Sequence, residues 1–261
     1  MLNPKTEVSS KIVKKLYNGE VELVFNKNGH RYTVADKPCV GVTTILSALA
    51  KPALIPWAVN MTIGYLQDNL KAGQSYDEVQ IGELLKEAKG AYRKKKEAAA
   101  DLGSLVHRWI EDYIKGLKPD MPINPQMKLS IDAFLKWEKD NKVKFLESER
   151  VVYSRKYNFA GTCDFTCEIN GKKYMGDIKT SNAIYSEYLL QVCAYRYAIQ
   201  EETNEVYDGM MIIRVPKTAE AIEVFEFNDF QENAKAFVYL VQVYNRLQIL
   251  KNINLKGVVS K

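Results

Sequence analysis

Apolar and polar positions recur along the chain with two different periods, and the change from one to the other gives its organisation. Val21-Glu-Leu-Val-Phe25 and Arg31-Tyr-Thr-Val34 alternate as strands do, around Asn26-Lys-Asn-Gly-His30. The Asn-Gly step suits a tight turn, so a β-hairpin is expected after a polar, loosely ordered first dozen residues. A helical pattern begins at Thr43 and is interrupted by Pro52; Pro56-Trp57 starts another that runs towards Leu70. Across residues 78–115 apolar side chains return at helical spacing through Val79, Leu84, Leu85, Ala88, Tyr92, Ala98, Leu102 and Val106. Gly90 and Gly103 weaken that period, which predicts two or three helices. Three prolines make residues 118–125 a loop. Another helix then follows through Ile131, Phe134, Leu135 and Trp137.

From about Glu147 the period shortens to that of strands, over residues 150–153, 161–169 and 173–179, the last two joined by a second hairpin signature at Asn170-Gly171. A helix is expected over 183–201, strands over 210–215 and 222–227, and a long helix over 229–251. The predicted fold class is therefore α+β (mixed α/β): a central mixed sheet flanked by helices, preceded by a β-hairpin and a helical region. The expected divisions are 1–52, an N-terminal hairpin segment; 53–145, a helical region; and 146–261, the core, all within one compact unit.

Composition changes this picture little. Hydrophobic residues make up 46% and charged residues 26% of the 261, which excludes a disordered or fibrous chain. The net charge of +5 is compatible with an anionic partner without demanding one. Arg93-Lys-Lys-Lys96 would suit phosphate contacts and equally a solvated helix face. No apolar run is long enough to cross a membrane, no secretory signal is recognised, and the expected location is the reducing cytoplasm. The four cysteines, Cys39, Cys163, Cys167 and Cys193, form no zinc-binding pattern and read as small core residues.

The chemistry concentrates in one hairpin. Pairing around Asn170-Gly171 sets residues whose numbers sum to 341 opposite each other, which places Asp177 across from Asp164. Two opposed carboxylates repel unless a cation lies between them, so the pair asks for a metal, and Mg²⁺ or Mn²⁺ needs few protein ligands. Lys179, two residues on, shares the Asp177 face and can either offset developing charge or act as a base. The backbone carbonyl of Ile178 is a further candidate ligand. Gln191 and Tyr195 fall four apart on one helix face.

Gly161-Thr-Cys-Asp164, Gly176-Asp-Ile-Lys-Thr-Ser181 and Gln191-Val-Cys-Ala-Tyr195 together resemble the motifs of the PD-(D/E)XK nuclease superfamily. The likeness is to its RecB-like branch, which includes CRISPR-associated and mitochondrial genome maintenance exonucleases. The resemblance implies a restriction-endonuclease-like core, in which Lys179, Thr180, Ser181, Gln191 and Tyr195 face nucleic acid. It implies that His107, in Gly103-Ser-Leu-Val-His107, is a metal ligand beside Asp164 and Asp177, and that Glu149 joins the site. Cys163 stands where the superfamily's name has proline, as is common in this branch. The cysteines do not match the arrangement that holds an iron–sulfur cluster in some relatives, so no cluster is expected.

A looser likeness to phage-type members covers His30-Arg-Tyr-Thr-Val34, Val42-Thr-Thr-Ile-Leu46 and Ala53-Leu-Ile-Pro-Trp57, and suggests a phage-encoded protein in a bacterial host. His30 itself, beside a turn, reads as a surface residue. Tyr153, Tyr157, Tyr185 and Tyr188 are expected near the cleft as core or rim residues.

The expected function is metal-dependent hydrolysis of DNA phosphodiesters, by an exonuclease acting on ends or single strands rather than a site-specific endonuclease. A replication or recombination protein is a conceivable partner. The alternative is a catalytically silent DNA-binding or recombination subunit, whose mark would be loss of an acidic ligand or the lysine.

Overall fold

The computed structural model of the chain describes residues 11–216, 221–251 and 253. Two compact units divide them: residues up to 48 together with 109 onwards, and residues 49–108.

The first unit carries the sheet. Its strands are β1 (Lys11–Leu16), β2 (Val21–Asn26), β3 (Arg31–Val34), β4 (Lys37–Gly41), β5 (Lys144–Ser154), β6 (Phe159–Ile169), β7 (Lys172–Lys179), β8 (Gly209–Arg214) and β9 (Glu223–Phe227). Strands β1 to β4 are a run of antiparallel neighbours. β6 pairs antiparallel with β5 and β7, whereas β4–β6 and β7–β8 are parallel, so the sheet is mixed. The parallel β7–β8 pair requires a crossover, supplied by α5 (Ser186–Thr203), which packs across β5 to β8. α6 (Phe230–Lys251) lies against α5 and sets Phe237 edge-on to Phe159, while α1 (Val42–Leu46) follows directly from β4. α4 (Pro125–Asn141) starts with proline in its first turn and an Asn124 side chain capping Met127 N–H, and stacks Phe134 on Phe145 of β5. The mixed sheet flanked by helices is the expected fold class.

Several local readings change. Residues 11 and 12, expected to be loosely ordered, open β1, which runs to Leu16, and residues 37–41 form β4; residues 1–10 lie outside the described residues. The stretch read as two or three helices is a single helix, α3 (Glu78–Ile114). An isolated glycine costs about 1 kcal/mol in a helix, too little to break one with strong formers on either side. The second unit holds α2 (Leu54–Asn69), with Pro56 in its first turn, and α3 as far as Arg108.

Along one edge, β6 has two successive neighbours. β5 pairs with nearly the whole length of β6, including Phe159 and Ala160. The opposite edge therefore meets β4 at Phe159 and Ala160 and β7 from Phe165 onwards. Between them, residues 161–164 have no ladder partner on that edge among the described residues. The sheet forks here, and this is where the GxxD segment sits.

Candidate active site

The Asn170-Gly171 turn fixes the register. Both residues adopt left-handed backbone, φ 52° and 76°, as a two-residue hairpin loop needs, and Ile169 pairs with Lys172. The ladder keeps the index sum of 341 as far as Phe165↔Gly176 and stops there. At the next position the Asp164 carboxylate accepts the Ile178 backbone N–H at 2.7 Å, so a side chain continues where the strands part. On the other side, Ser148↔Phe165 and Arg150↔Cys163 bracket Glu149, which falls opposite Asp164 at a position the ladder skips. Glu149 has φ 53°, a strained conformation for a residue with a side chain. Glu149, Asp164 and Asp177 thus fall in one cross-strand row on three neighbouring strands.

Asp177 is 1% exposed and its charge is met from two directions. Lys179 Nζ lies 2.6 Å from Asp177 Oδ2, and Gln191 Nε2 donates to Asp177 Oδ1 at 2.9 Å. Gln191 also donates to the Tyr195 hydroxyl at 2.8 Å and accepts from Lys179 Nζ at 3.0 Å. Its amide is thereby held in one orientation, oxygen towards the lysine and nitrogen towards the carboxylate. Lys179 lies over the Tyr188 ring, 4.7 Å from its centre. Burial lowers the Lys179 pKa, but the Asp177 and Asp164 carboxylates outweigh it and raise the pKa above the usual lysine value.

The motif glycines have steric reasons. A Cβ on Gly161 would stand 2.4 Å from a ring carbon of Tyr195, and one on Gly176 would stand 2.0 Å from the end of the Phe165 ring. Tyr195 therefore reaches Gln191 across the floor that Gly161 leaves open.

The remaining site candidates divide. Ser181 Oγ donates to the Ala183 carbonyl, and Thr180 adjoins it after β7. Ile178 is 2% exposed, its side chain in the core. His107 is half-buried on α3 within the second unit. Among the tyrosines, Tyr153 is a core residue, Tyr157 packs on Tyr197, and Tyr185 stands edge-on to Tyr188. All four cysteines are buried free thiols.

Not anticipated was the reach of the N-terminal hairpin into this region. The Tyr32 hydroxyl lies 2.9 Å from Thr162 Oγ1, two residues before Asp164, and 3.2 Å from His30 Nε2. Burial, opposed by the Thr162 hydrogen bond, raises the Tyr32 pKa, and the Glu149 and Asp164 charges add to the rise. The aromatic spacing of Tyr32 from His30 was visible, but their tie to Thr162 is a long-range contact.

Two solved structures align with part of this chain. A candidate exonuclease from Eubacterium rectale aligns at 15% identity with a TM-score of 0.40, over 57% of this chain and 66% of its own. The protein SSO0001 aligns at 15% identity with a TM-score of 0.33, over 74% of this chain and 87% of its own. No family model and no curated protein matches the chain.

As to metal, no three His, Cys, Asp or Glu side chains stand together as a ready cage among the described residues. The donors present are hard carboxylate oxygens at opposed positions. That set is unsuited to a closed zinc site and fits Mg²⁺ or Mn²⁺, which retain several waters.

Proposed function

We propose that this protein is a metal-dependent deoxyribonuclease, and that it works as an exonuclease on DNA ends or single strands. The observation that carries the reading is the closed network of Lys179, Asp177, Gln191 and Tyr195 beside the Asp164 carboxylate. A buried, charge-paired aspartate held by a glutamine that also holds the lysine exceeds what packing of a sheet end requires.

In this reading Asp164 and Asp177 hold the divalent ion, with the Ile178 carbonyl, and Glu149 assists. His107 is proposed as a further ligand on the strength of the motif resemblance alone. When bound, such an ion activates water and neutralises charge on the phosphate oxygens. Lys179 stays protonated beside Asp177 and so donates hydrogen bonds to the phosphate, offsetting charge that grows as the bond breaks. A cation on Asp177 would oppose the rise in the lysine's pKa, which leaves the base role open to experiment. Gln191 keeps the ammonium aimed, and Tyr195 keeps Gln191 from turning. Thr180 and Ser181 sit where the strand gives way to loop, suited to backbone phosphates. The RecB-like family, the single-stranded preference and a replication or recombination partner belong to the proposal as well.

The test is cleavage of end-labelled single-stranded, linear duplex and closed circular DNA with Mg²⁺, Mn²⁺ or EDTA, beside Asp177→Ala and Lys179→Ala. Metal-dependent loss of linear but not circular DNA is expected, abolished by EDTA and reduced at least ~100-fold by either substitution. Cutting of circles would replace exonuclease by endonuclease. DNA binding without cleavage under any metal would leave the silent subunit as the reading.

A further inference from the structure

His30 is exposed, yet its ring is held by more contacts than a solvated side chain needs. It ends the turn between β2 and β3 with φ 50°, a left-handed conformation that few side chains adopt without cost. Its ring stands edge-on to Phe25, centres 5.1 Å apart, and edge-on to Tyr32 at 5.5 Å, while Phe25 and Tyr32 stack on each other. Phe25 and Tyr32 are 3% and 2% exposed, so the clamp is rooted in the core. Nε2 is engaged by the Tyr32 hydroxyl, and that hydroxyl is engaged in turn by Thr162. A packed ring with one nitrogen hydrogen-bonded has a fixed plane, and its other nitrogen has a fixed direction. Burial lowers the His30 pKa, and the Asp164 carboxylate opposes this, so the imidazole also lies within electrostatic reach of the carboxylates.

Resting on the nuclease reading above, we propose that His30 is a substrate-binding residue: its Nδ1–H donates to a phosphate oxygen of the DNA strand held at Asp164 and Asp177. As part of this proposal we assign the Tyr32 hydroxyl proton to His30 Nε2, with Thr162 giving its own proton to the Tyr32 oxygen; the neutral ring then carries its proton on Nδ1, available to an anionic acceptor. Thr162 belongs to the stretch of β6 whose ladder runs to β5 alone, so the fork of the sheet on the other edge is what lets the hairpin touch the site. The donor serves binding of the strand and leaves the metal to the carboxylates.

The left-handed backbone dictates the variants. His30→Gly removes the ring while keeping φ positive at no steric cost, and His30→Asn keeps both an N–H donor and tolerance of that conformation. Full-length protein is compared for binding of a labelled single-stranded oligonucleotide in Ca²⁺, for Mg²⁺-dependent cleavage, and for the Mg²⁺ concentration at half-maximal rate. His30→Gly is expected to weaken binding and raise KM by about ten- to hundred-fold, as for loss of a hydrogen bond to a charged group, with kcat and the Mg²⁺ midpoint little changed. His30→Asn restores part of the loss. Parent-like binding and KM in His30→Gly, with the parent active, would overturn this assignment and leave the nuclease reading intact. A shifted Mg²⁺ midpoint at unchanged DNA affinity would overturn it in favour of a metal ligand. A parent protein that neither binds nor cuts DNA would overturn both.

Discussion

Gly161 shows how one absent side chain supports a site. Tyr195, 3% exposed, has no room to retreat, so the methyl of Gly161→Ala must displace the ring or the strand. Overpacking of this kind costs about 1–3 kcal/mol, and here it also withdraws the hydroxyl that holds Gln191. The expected outcome is a lowered thermal midpoint with a disproportionate loss of cleavage. Gly176→Ala, which meets Phe165 instead, should lose as much stability with a smaller effect on activity per degree of midpoint. Equal activity losses at equal stability would refute the distinction. At this scale the juxtaposition of Asp164, Asp177 and Lys179 follows from one turn and a period of two. The sequence could not disclose why residue 161 lacks a side chain, because the reason lies on another element. His30 is exposed, as its place beside a turn implies, and what stayed hidden for the same reason is its tie through Tyr32 to Thr162, 130 positions further along the chain.

Elements were legible where local signals agreed and hidden where they did not. The two Asn-Gly steps marked both hairpins, and the helices after β4 and around β8 and β9 stand close to where the periods put them. β1 escaped notice because only Leu16 of its six residues is buried, so no alternation exists to read. β4 escaped because it is short and contains Pro38. The middle of β5 is pinned by charge: Arg150 pairs with Glu147 and with Glu205, and Lys173 of β7 also pairs with Glu205. Burial raises the Glu205 pKa, but Arg150 and Lys173 outweigh it and bring it down to about 2. A carboxylate depressed on folding stabilises fully above its unfolded value, near 4.3, and the contribution fades as pH falls towards 2. Urea unfolding should therefore show Glu205→Gln less stable than the parent at pH 7, with the gap narrowing below about pH 4 and closing by about pH 2. A gap independent of pH would point to lost packing rather than lost charge. Gly171→Ala, at φ 76°, should cost about 1 kcal/mol in the same assay, since the hairpin loop needs left-handed backbone there.

Over the whole molecule the two units differ in how much they bury. Within 49–108 the buried positions are Ala88, Gly103 and Val106, while Leu54, Ile55, Val59 and Ile63 of α2 stay about half exposed or more. A segment with so few interior contacts opens at low free energy, so brief trypsin treatment of the native protein should cut there first, at the exposed Lys71 between α2 and α3. First cuts within 144–215 would contradict this. No helix among the described residues is long and apolar enough to cross a membrane. The fork in β6 bears on how the chain acquires activity. β1 to β4 are joined by short connections and can form early from neighbouring residues, as can the β6–β7 hairpin. The two are zipped together by only Val40↔Phe159 and Gly41↔Ala160, a closure over more than a hundred residues that comes late. Because Tyr32 meets Thr162 beside that seam, a refolding chain should regain its strands before it regains the contact of His30 and Tyr32 with Thr162, and under the function proposed above a half-made copy would be harmless to the nucleic acid around it.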